Sequence, residues 1–165
     1  MPEDRQSAED SSQAAEGGFR EPLVKVLKAH RRIELPRYES KGASGMDLRA
    51  FLDSDVTIPP LGRVKIPTGL RIELPVGFEA QVRPRSGLAV KSGLTVLNSP
   101  GTIDSDYRGD LEIILINLGA ADVTVRDGDR IAQLVVAPVC RAVLTEADAL
   151  AATERGSAGF GSTGI

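Results

Sequence analysis

From Leu23 onward, apolar and polar residues alternate in short runs that proline and glycine interrupt. Alternation with a period of two is typical of half-buried β-strands and differs from the 3.6-residue period of a helix. The pattern therefore predicts an all-β domain. The candidate strands are "LVKVLKA", "MDLRAF", "DVTI", "RVKIPTGLRIEL", "FEAQVRP", "LTVLN", "LEIILINL", "DVTV" and "RIAQLVVAPV".

Turn signals separate these runs. Asp127-Gly128 lies between two of them, which predicts a tight hairpin. Many short strands with frequent turns predict a distorted β-barrel or jelly roll. Residues 86–93 are predicted to form one short helix, and residues 145–154 a weak one. Prolines fall at predicted strand ends or edges, where a missing N–H is tolerated: Pro59, Pro60, Pro67, Pro75, Pro84 and Pro100.

Length and charge narrow the function classes. A chain of 165 residues forms one domain. A net charge of -3 offers no basic surface for a polynucleotide, and no stretch has the length of a membrane span, so we expect neither a nucleic-acid nor a membrane partner. Residues 1–21 are polar and lack the apolar core of a secretory signal. We expect a disordered N-terminal extension over 1–21, a cytoplasmic β domain over 22–150, and a flexible glycine-rich C-terminal arm over 151–165.

The chain has too few histidines and cysteines for a mechanism that relies on either residue type. His30 is the single histidine and is predicted to lie on the surface, while Cys140 is the single cysteine and is predicted to be a buried, inert thiol. A Ser-His-Asp triad or a zinc site would need more of these residues. If the chain is an enzyme, carboxylates therefore act as its general acid and base, with a hard metal such as Mg²⁺ bound mainly by substrate oxygens.

Two stretches offer anion or metal chemistry. Asp47 is a lone carboxylate in an otherwise apolar strand, either an exposed edge residue or an outer ligand that orients a Mg²⁺-bound water. In "RPRSGLA", Arg85 supplies charge, Ser86 a hydroxyl and Gly87 close backbone approach to an anion at a helix start. A plain helix cap explains Ser86 equally well.

The stretch "NSPGTIDSDYRGDL", residues 98–111, is the densest polar segment of the domain. The flanking apolar runs predict a hairpin that projects from the sheet. It is either a solvated turn or a site where three acids and the aromatic Tyr107 position water, metal and a planar ring. Asp104 is the best candidate general base. Gln133, inside an apolar strand, either braces a neighbouring loop or faces ligand.

The chain ends on "RGSAGFGSTGI", which composition alone assigns to a disordered tail. The alternative is a lid that orders on a ligand with phosphates and a base. Glycine N–H groups and hydroxyls bind phosphate oxygens, Arg155 clamps a terminal phosphate, and Phe160 stacks on a base.

Five segments, taken in order, resemble the five motifs of the trimeric deoxyuridine triphosphatases (dUTPases). They are "SGMDLRA", "RPRSGLA", "NSPGTIDSDYRG", "GDRIAQLV" and "RGSAGFGSTG". The resemblance covers Leu23 to the C-terminus. It implies a β-clip homotrimer that hydrolyses dUTP to dUMP and pyrophosphate with Mg²⁺, limiting uracil in DNA and supplying dUMP for thymidylate synthesis. It also implies shared active sites, over which the arm of one chain closes, and so favours the lid over the tail.

The resemblance assigns roles to the candidate residues. Asp104 would activate the attacking water, and Asp47 would orient the hydrated metal. Tyr107 would pack under the deoxyribose and leave no room for a 2'-hydroxyl. Uracil would be bound by Asn98, Thr102, Ile103 and Asp104, with Phe160 over it; phosphate oxygens would be bound by Arg85, Ser86, Gly87, Gln133, Arg155, Gly161, Ser162 and Thr163.

The chain departs from the family's motifs at one position, and three other functions are alternatives to dUTP hydrolysis. Ala158 stands where the family's last motif usually has glycine, and alanine would cost about 1 kcal/mol if the position needs a positive φ. The related dCTP deaminases share the β architecture, but "GTIDSDY" and the complete arm favour the hydrolase. A non-catalytic nucleotide-sensing protein is disfavoured by Asp104 and Arg155, and a general nucleoside triphosphate hydrolase by Tyr107.

Overall fold

The structure is a computed structural model that describes residues 21–159. Within this range the chain forms eleven strands and one short helix. In chain order these are β1 (Lys25–Lys28), β2 (Met46–Arg49), β3 (Val56–Ile58), β4 (Arg63–Pro67), β5 (Leu70–Glu73), β6 (Phe78–Arg83), α1 (Ser86–Ser92), β7 (Leu94–Val96), β8 (Gly101–Ile103), β9 (Glu112–Asn117), β10 (Val123–Val125) and β11 (Arg130–Pro138).

The strands pair in four antiparallel sheets. One sheet has the order β2-β11-β6-β8, a second has β4-β9-β7, and two pairs are formed by β1-β5 and β10-β3. The predicted all-β class and the single helix at 86–93 are confirmed. The described strands do not close into one continuous barrel.

Alternating side chains build the core, as expected for strands that bury one face. On β5, Leu70 and Ile72 are buried while Arg71 between them is exposed. The same alternation buries every second residue of β9 up to Asn117. The most deeply buried apolar side chains are Leu48, Ile58, Ile66, Ile113, Leu115 and Val125.

A β-bulge interrupts this alternation at the start of β11. The register with β2 shifts between Arg130 and Ala132, and the consecutive residues Ile131 and Ala132 are both buried. In a regular strand, positions 130 and 133 would point to opposite faces. The extra residue of the bulge brings Arg130 and Gln133 to the same face.

Two strand predictions are wrong. The run 63–74 is divided into β4 and β5, which lie in different sheets. The chain turns between them at Gly69, which has a φ of +67°. Asp127-Gly128 does form a turn, but β10 pairs with β3 and β11 with β2 and β6, so no β10–β11 hairpin exists. A turn sequence specifies a local reversal and not the partners of the strands that it connects.

Two further predictions fail after β11. Residues 139–159 contain neither helix nor strand, so the weak helix at 145–154 is absent. Its Leu150 is 92% exposed, and a short helix without a packed apolar face is not stable. Cys140 is exposed because the chain leaves the sheet two residues earlier, at Pro138. His30 is exposed, as predicted. Within 21–159, no helix is long and apolar enough to span a membrane.

Asn117, at the end of β9, joins two sheets through its buried amide. Its Nδ2 donates to the carbonyl oxygens of Ile58 at 2.9 Å and Ala121 at 2.8 Å. Its Oδ1 accepts from the Gly119 N–H at 2.8 Å. Asn117 is fully buried, so its amide must be hydrogen-bonded within the chain, and these three contacts satisfy it.

Asn117→Leu should lower the free energy of unfolding by about 2–4 kcal/mol, because it removes three hydrogen bonds, one of them to the carbonyl oxygen of the buried Ile58. Urea denaturation measures this. The control is Thr57→Val, which removes only an exposed 3.2 Å hydroxyl contact with Thr124 and should cost about 0.5 kcal/mol or less. Equal losses in the two variants would contradict the role of the buried amide.

Leu61 is the one non-glycine residue of 21–159 with a positive φ, at +62°. It occupies the third position of a turn closed by Gly62 N–H and Pro59 O at 2.8 Å, and its side chain is 75% exposed. We expect Leu61→Asn to raise the free energy of unfolding by about 1 kcal/mol, because asparagine tolerates this backbone conformation. Leu118→Asn, at an exposed position without positive φ, should show no such gain in the same denaturation series.

Candidate active site

Asp47, on β2, is held by two arginines. Its Oδ1 accepts a hydrogen bond from Arg85 Nε and its Oδ2 one from Arg130 Nη1, each at 3.1 Å. The side chain is only 9% exposed, so the carboxylate is not the exposed edge residue that one interpretation predicted. Burial of a carboxylate costs free energy unless it is paired and hydrogen-bonded, and the two arginines provide this pairing.

Arg85 precedes α1 and has a fixed position. In addition to Asp47, its Nη1 donates to the Arg130 carbonyl oxygen at 3.0 Å. Arg85 is itself the N-cap residue of α1, and no side chain caps the helix, so Ser86 is not a helix cap. Both Ser86 and Gly87 are exposed, and a Cβ added at Gly87 would meet nothing within 4 Å. Packing within the described chain therefore does not require glycine at position 87.

Gln133 lies beside this cluster through strand pairing. On β11 it is opposite Asp47 of β2 on one side and Arg83 of β6 on the other. Its half-buried side chain has no hydrogen-bond partner among residues 21–159. The bracing role considered for Gln133 thus has no contact to support it in the described chain.

The segment 98–111 forms one side of a separate cleft of about 250 Å³. β7 and β9, at its two ends, pair with each other as the predicted hairpin requires. The segment also contains β8, which leaves that sheet and pairs with β6. The cleft brings together the predicted residues Asn98, Thr102, Ile103, Asp104 and Tyr107, and it is also lined by Gly101, Lys65, Asp110 and Glu112.

Asp104 and Tyr107 are placed by a tight turn. The Tyr107 N–H donates to the Asp104 carbonyl oxygen at 3.1 Å, and the Tyr107 hydroxyl donates to the Asp110 carbonyl oxygen at 3.0 Å. The Asp104 carboxylate is exposed and accepts no hydrogen bond from the described residues. It is therefore available to a water molecule in the cleft.

Two ion pairs lie beside the cleft. Arg71 of β5 binds Asp110 through Nε at 2.7 Å and Nη2 at 3.4 Å, and this hydrogen-bonded pair lowers the pKa of Asp110 and raises the pKa of Arg71. Lys65 of β4 donates to Glu112 Oε2 at 2.7 Å, and this contact raises the pKa of Lys65. The pKa shifts of Arg71, Asp110 and Lys65 all favour the charged forms of these side chains.

The two groups of residues stay apart in one chain. Arg85, Ser86, Gln133 and Asp47 do not line the cleft that contains Asp104. Asp47 instead borders a second cavity of about 390 Å³, which residues 32–37 also line. Part of the predicted site is thus formed around β2, β11 and α1, and another part around β8.

Arg155 lies in a local turn in the arm. Its Nε donates to the Ala158 carbonyl oxygen at 2.9 Å, and the Ala158 N–H donates to the Arg155 carbonyl oxygen at 3.0 Å. Ala158 does not have a positive φ, so the cost considered for alanine does not arise in this conformation. The predicted ligands Phe160, Gly161, Ser162 and Thr163 lie outside the described residues.

Comparison with known proteins identifies the family. The family model described as dUTPase matches residues 31–164. A deoxyuridine 5'-triphosphate nucleotidohydrolase of Desulfotalea psychrophila is 59% identical over 133 residues, which cover 81% of this chain and 89% of that protein. The chain belongs to the dUTPase family.

Another dUTPase relative, from Rhizobium etli, is 57% identical over 81% of this chain and 86% of its own. The fold is also that of solved dUTPases. The Staphylococcus bacteriophage 80alpha dUTPase, solved with dUpNHpp, superimposes with a TM-score of 0.76 at 24% identity, covering 87% of this chain and 99% of that one. A mutant dUTPase of phage phi11 of S. aureus, described with a structural Mg(II) ion, gives a TM-score of 0.68 at 21% identity over 79% of this chain and 99% of that one.

The donor set of this dUTPase-family chain fits a metal that the substrate carries. No group of three or more Asp, Glu, His or Cys side chains among residues 21–159 forms a cage for a cation. Asp47 is a single carboxylate with both oxygens bonded to arginines. Mg²⁺ keeps several waters and binds one or two carboxylates together with substrate phosphates, so Asp47 suits contact through water.

Sequence reasoning missed two charged residues of the site. Arg130 reaches Asp47 because the bulge rotates it onto the face of Gln133. The adjacent apolar pair Ile131-Ala132, which breaks the alternation of β11, is the signal that would have indicated this bulge. Lys65 enters the cleft from β4, and nothing in its local sequence distinguishes it from other exposed strand lysines.

Proposed function

We propose that this chain hydrolyses dUTP to dUMP and pyrophosphate, limiting uracil in DNA and supplying dUMP for thymidylate synthesis. One observation carries the proposal. In a dUTPase-family chain, the cleft at β8 combines a free carboxylate, Asp104, with hydrogen-bonding side chains and the exposed ring of Tyr107. These are the groups needed to select a base and a sugar and to activate water.

Base and sugar binding belong to the cleft. Asn98 and Thr102 offer polar atoms to the edge of a uracil ring, and the backbone of Ile103 and Asp104 continues that surface at the end of β8. Tyr107, 46% exposed, presents its ring to the deoxyribose and excludes a 2'-hydroxyl by contact. A carboxylate that accepts no bond from the described chain then serves as general base, so Asp104 removes a proton from the water that attacks the α-phosphorus.

Phosphate binding belongs to the cluster around α1. Arg85 is oriented by Asp47 and by the Arg130 carbonyl, Ser86 and Gly87 are exposed beside it, and the Gln133 amide has no described partner. These groups hold phosphate oxygens by charge and by N–H donation. The arm supplies the remaining contacts: Arg155, Gly161, Ser162 and Thr163 on phosphates, and Phe160 over the base.

Mg²⁺ is the proposed cofactor, held mainly by substrate phosphates and oriented by Asp47 through water. When bound, it neutralises charge on the phosphate oxygens. Asp47 also keeps Arg85 in place, so its carboxylate links the metal and phosphate contacts. The catalytic work left to the chain is positioning, which is what phosphoryl chemistry requires most.

The proposed assembly is a homotrimer with shared active sites, and the proposed location is the cytoplasm. Support for this assembly in the structure is the separation of the Asp47 group from the Asp104 cleft within one chain. A second copy that places its Asp47 group beside this cleft would form a complete site. The arm of a third chain, which has neither helix nor strand in its described part, 151–159, then closes over it.

Asp104→Asn should lower turnover of dUTP by about 10²–10⁴-fold, because asparagine cannot accept the proton from water. Pyrophosphate release from dUTP, UTP, dTTP and dCTP, with Mg²⁺ or EDTA, measures this. The matched control is Asp106→Asn, an exposed aspartate two residues away that does not line the cleft and should keep wild-type turnover.

The same assay separates the alternatives. Activity confined to dUTP, dependent on metal and lost in Asp104→Asn, supports the hydrolase. Ammonia released from dCTP would instead identify a deaminase. Comparable rates on UTP would contradict the role of Tyr107, and inactivity on every nucleotide would favour a nucleotide-sensing protein.

Gly87→Ala should separate stability from activity. Alanine at this exposed helix position should raise the free energy of unfolding by about 0.5–1 kcal/mol. If phosphate approaches the backbone here, the added methyl group should lower kcat/KM for dUTP by about tenfold or more. The reciprocal control, Ala89→Gly on the same helix, should lower stability and leave kcat/KM unchanged; unchanged kcat/KM in Gly87→Ala would argue against a close approach.

A further inference from the structure

The ring of Tyr107 rests on a glycine. A Cβ added at Gly109 would fall against the Tyr107 hydroxyl oxygen, 2.5 Å from Cζ and 2.9 Å from Cε2. Real Cβ atoms do not approach other atoms this closely, so any side chain at 109 displaces the ring or the backbone. The absence of a side chain at position 109 is therefore a condition for the observed orientation of Tyr107.

The hydroxyl end of the ring is tied to the same segment. It donates to the Asp110 carbonyl oxygen at 3.0 Å, while the Tyr107 N–H donates to the Asp104 carbonyl oxygen at 3.1 Å. Both hydrogen bonds join residues within the segment 104–110. The ring and the candidate base are consequently placed by one continuous piece of backbone.

The Arg71–Asp110 pair connects this piece to the sheet. Arg71 presents both Nε and Nη2 to the two carboxylate oxygens, a geometry that restricts rotation as well as distance. Arg71 lies on β5 between the buried residues Leu70 and Ile72, so its backbone is fixed by the core. Leu111, next to Asp110, is also bonded to β5, since its N–H donates to the Leu70 carbonyl oxygen at 2.8 Å.

We propose that Gly109 and the Arg71–Asp110 pair are positioning residues that hold the Tyr107 ring in the cleft and thereby set the discrimination between dUTP and UTP. This inference rests on the proposed function. Both side chains of the pair are more than half exposed, at 52% and 57%, and an exposed pair adds little to global stability. The contribution of the Arg71–Asp110 pair is to hold residues 104–110 in place.

The test compares kcat/KM for dUTP and for UTP in three variants of these residues and in two controls. Gly109→Ala and Arg71→Met should each lower kcat/KM for dUTP by about tenfold to a hundredfold and bring the dUTP/UTP ratio closer to one, because small displacements of a binding group have effects of this size. Arg71→Lys, which keeps a cation beside Asp110, should restore part of the ratio.

Each control makes the same type of substitution at a position outside the cleft. Gly42→Ala adds a methyl group at an exposed glycine with nothing within 4 Å, and Arg126→Met removes an exposed ion pair with Asp55 at 3.4 Å. Both should keep the wild-type ratio. A merely structural role of Gly109 or Arg71 would lower Tm and reduce both substrates equally. A dUTP/UTP ratio within twofold of wild type in Gly109→Ala and in Arg71→Met overturns the proposal.

A second readout does not depend on activity. The chain has two tyrosines and no tryptophan, so in a Tyr38→Phe background Tyr107 is the sole tyrosine. Gly109→Ala should change its fluorescence and its quenching by acrylamide, while Gly42→Ala should not. If the wild-type chain hydrolyses no dUTP, the proposed function fails while this measurement still decides the placement of the ring; unchanged quenching overturns the placement itself.

Discussion

The central constraint on this structure is the backbone pairing of β11 with β2 on one side and β6 on the other. The nine-residue strand places Gln133 opposite Asp47 and Arg83 at one level of the sheet. The bulge at its start then turns Arg130 towards Asp47. Residues that are separated by more than eighty positions in sequence thus share one polar cluster because a single strand aligns them.

The cleft at β8 depends on a different constraint, the fixing of one loop at several points. The segment begins and ends on strands of one sheet, while β8 inside it pairs with β6 of another. Thr68, buried between β4 and β5, donates its hydroxyl to the Leu111 carbonyl oxygen at 2.7 Å. A loop restrained in this way carries side chains at defined positions, which suits chemistry that relies on orientation more than on covalent participation. In the described part of the arm, residues 151–159, there is neither helix nor strand, and the hydrogen bonds join only residues of that part.

Local patterns predicted the elements better than the partners of those elements. Alternation identified the strand regions, Pro84, Ser86 and Gly87 indicated the start of α1, and the dUTPase resemblance was confirmed. The Asp127-Gly128 turn was present, yet the strands on either side of it pair elsewhere, because pairing is decided by which apolar faces meet in the core. Helix formation at 145–154 failed for the same reason, since no surface packs against that segment. The apolar neighbours of Cys140 predict burial, but its exposure follows from the path of the chain after Pro138.

The sequence by itself determined the class of fold, the family and the residue types available for chemistry, because these depend on local periodicity and on motifs of a few residues. Its motifs also indicated Asp47, Arg85, Asp104 and Tyr107 as candidate site residues. Only the tertiary structure decided that Asp47 is bonded to Arg85 and Arg130, that Tyr107 rests on Gly109, and that Arg71 holds Asp110. Such contacts join residues from separate strands, and their geometry follows from strand register and from a bulge, which no local pattern specifies.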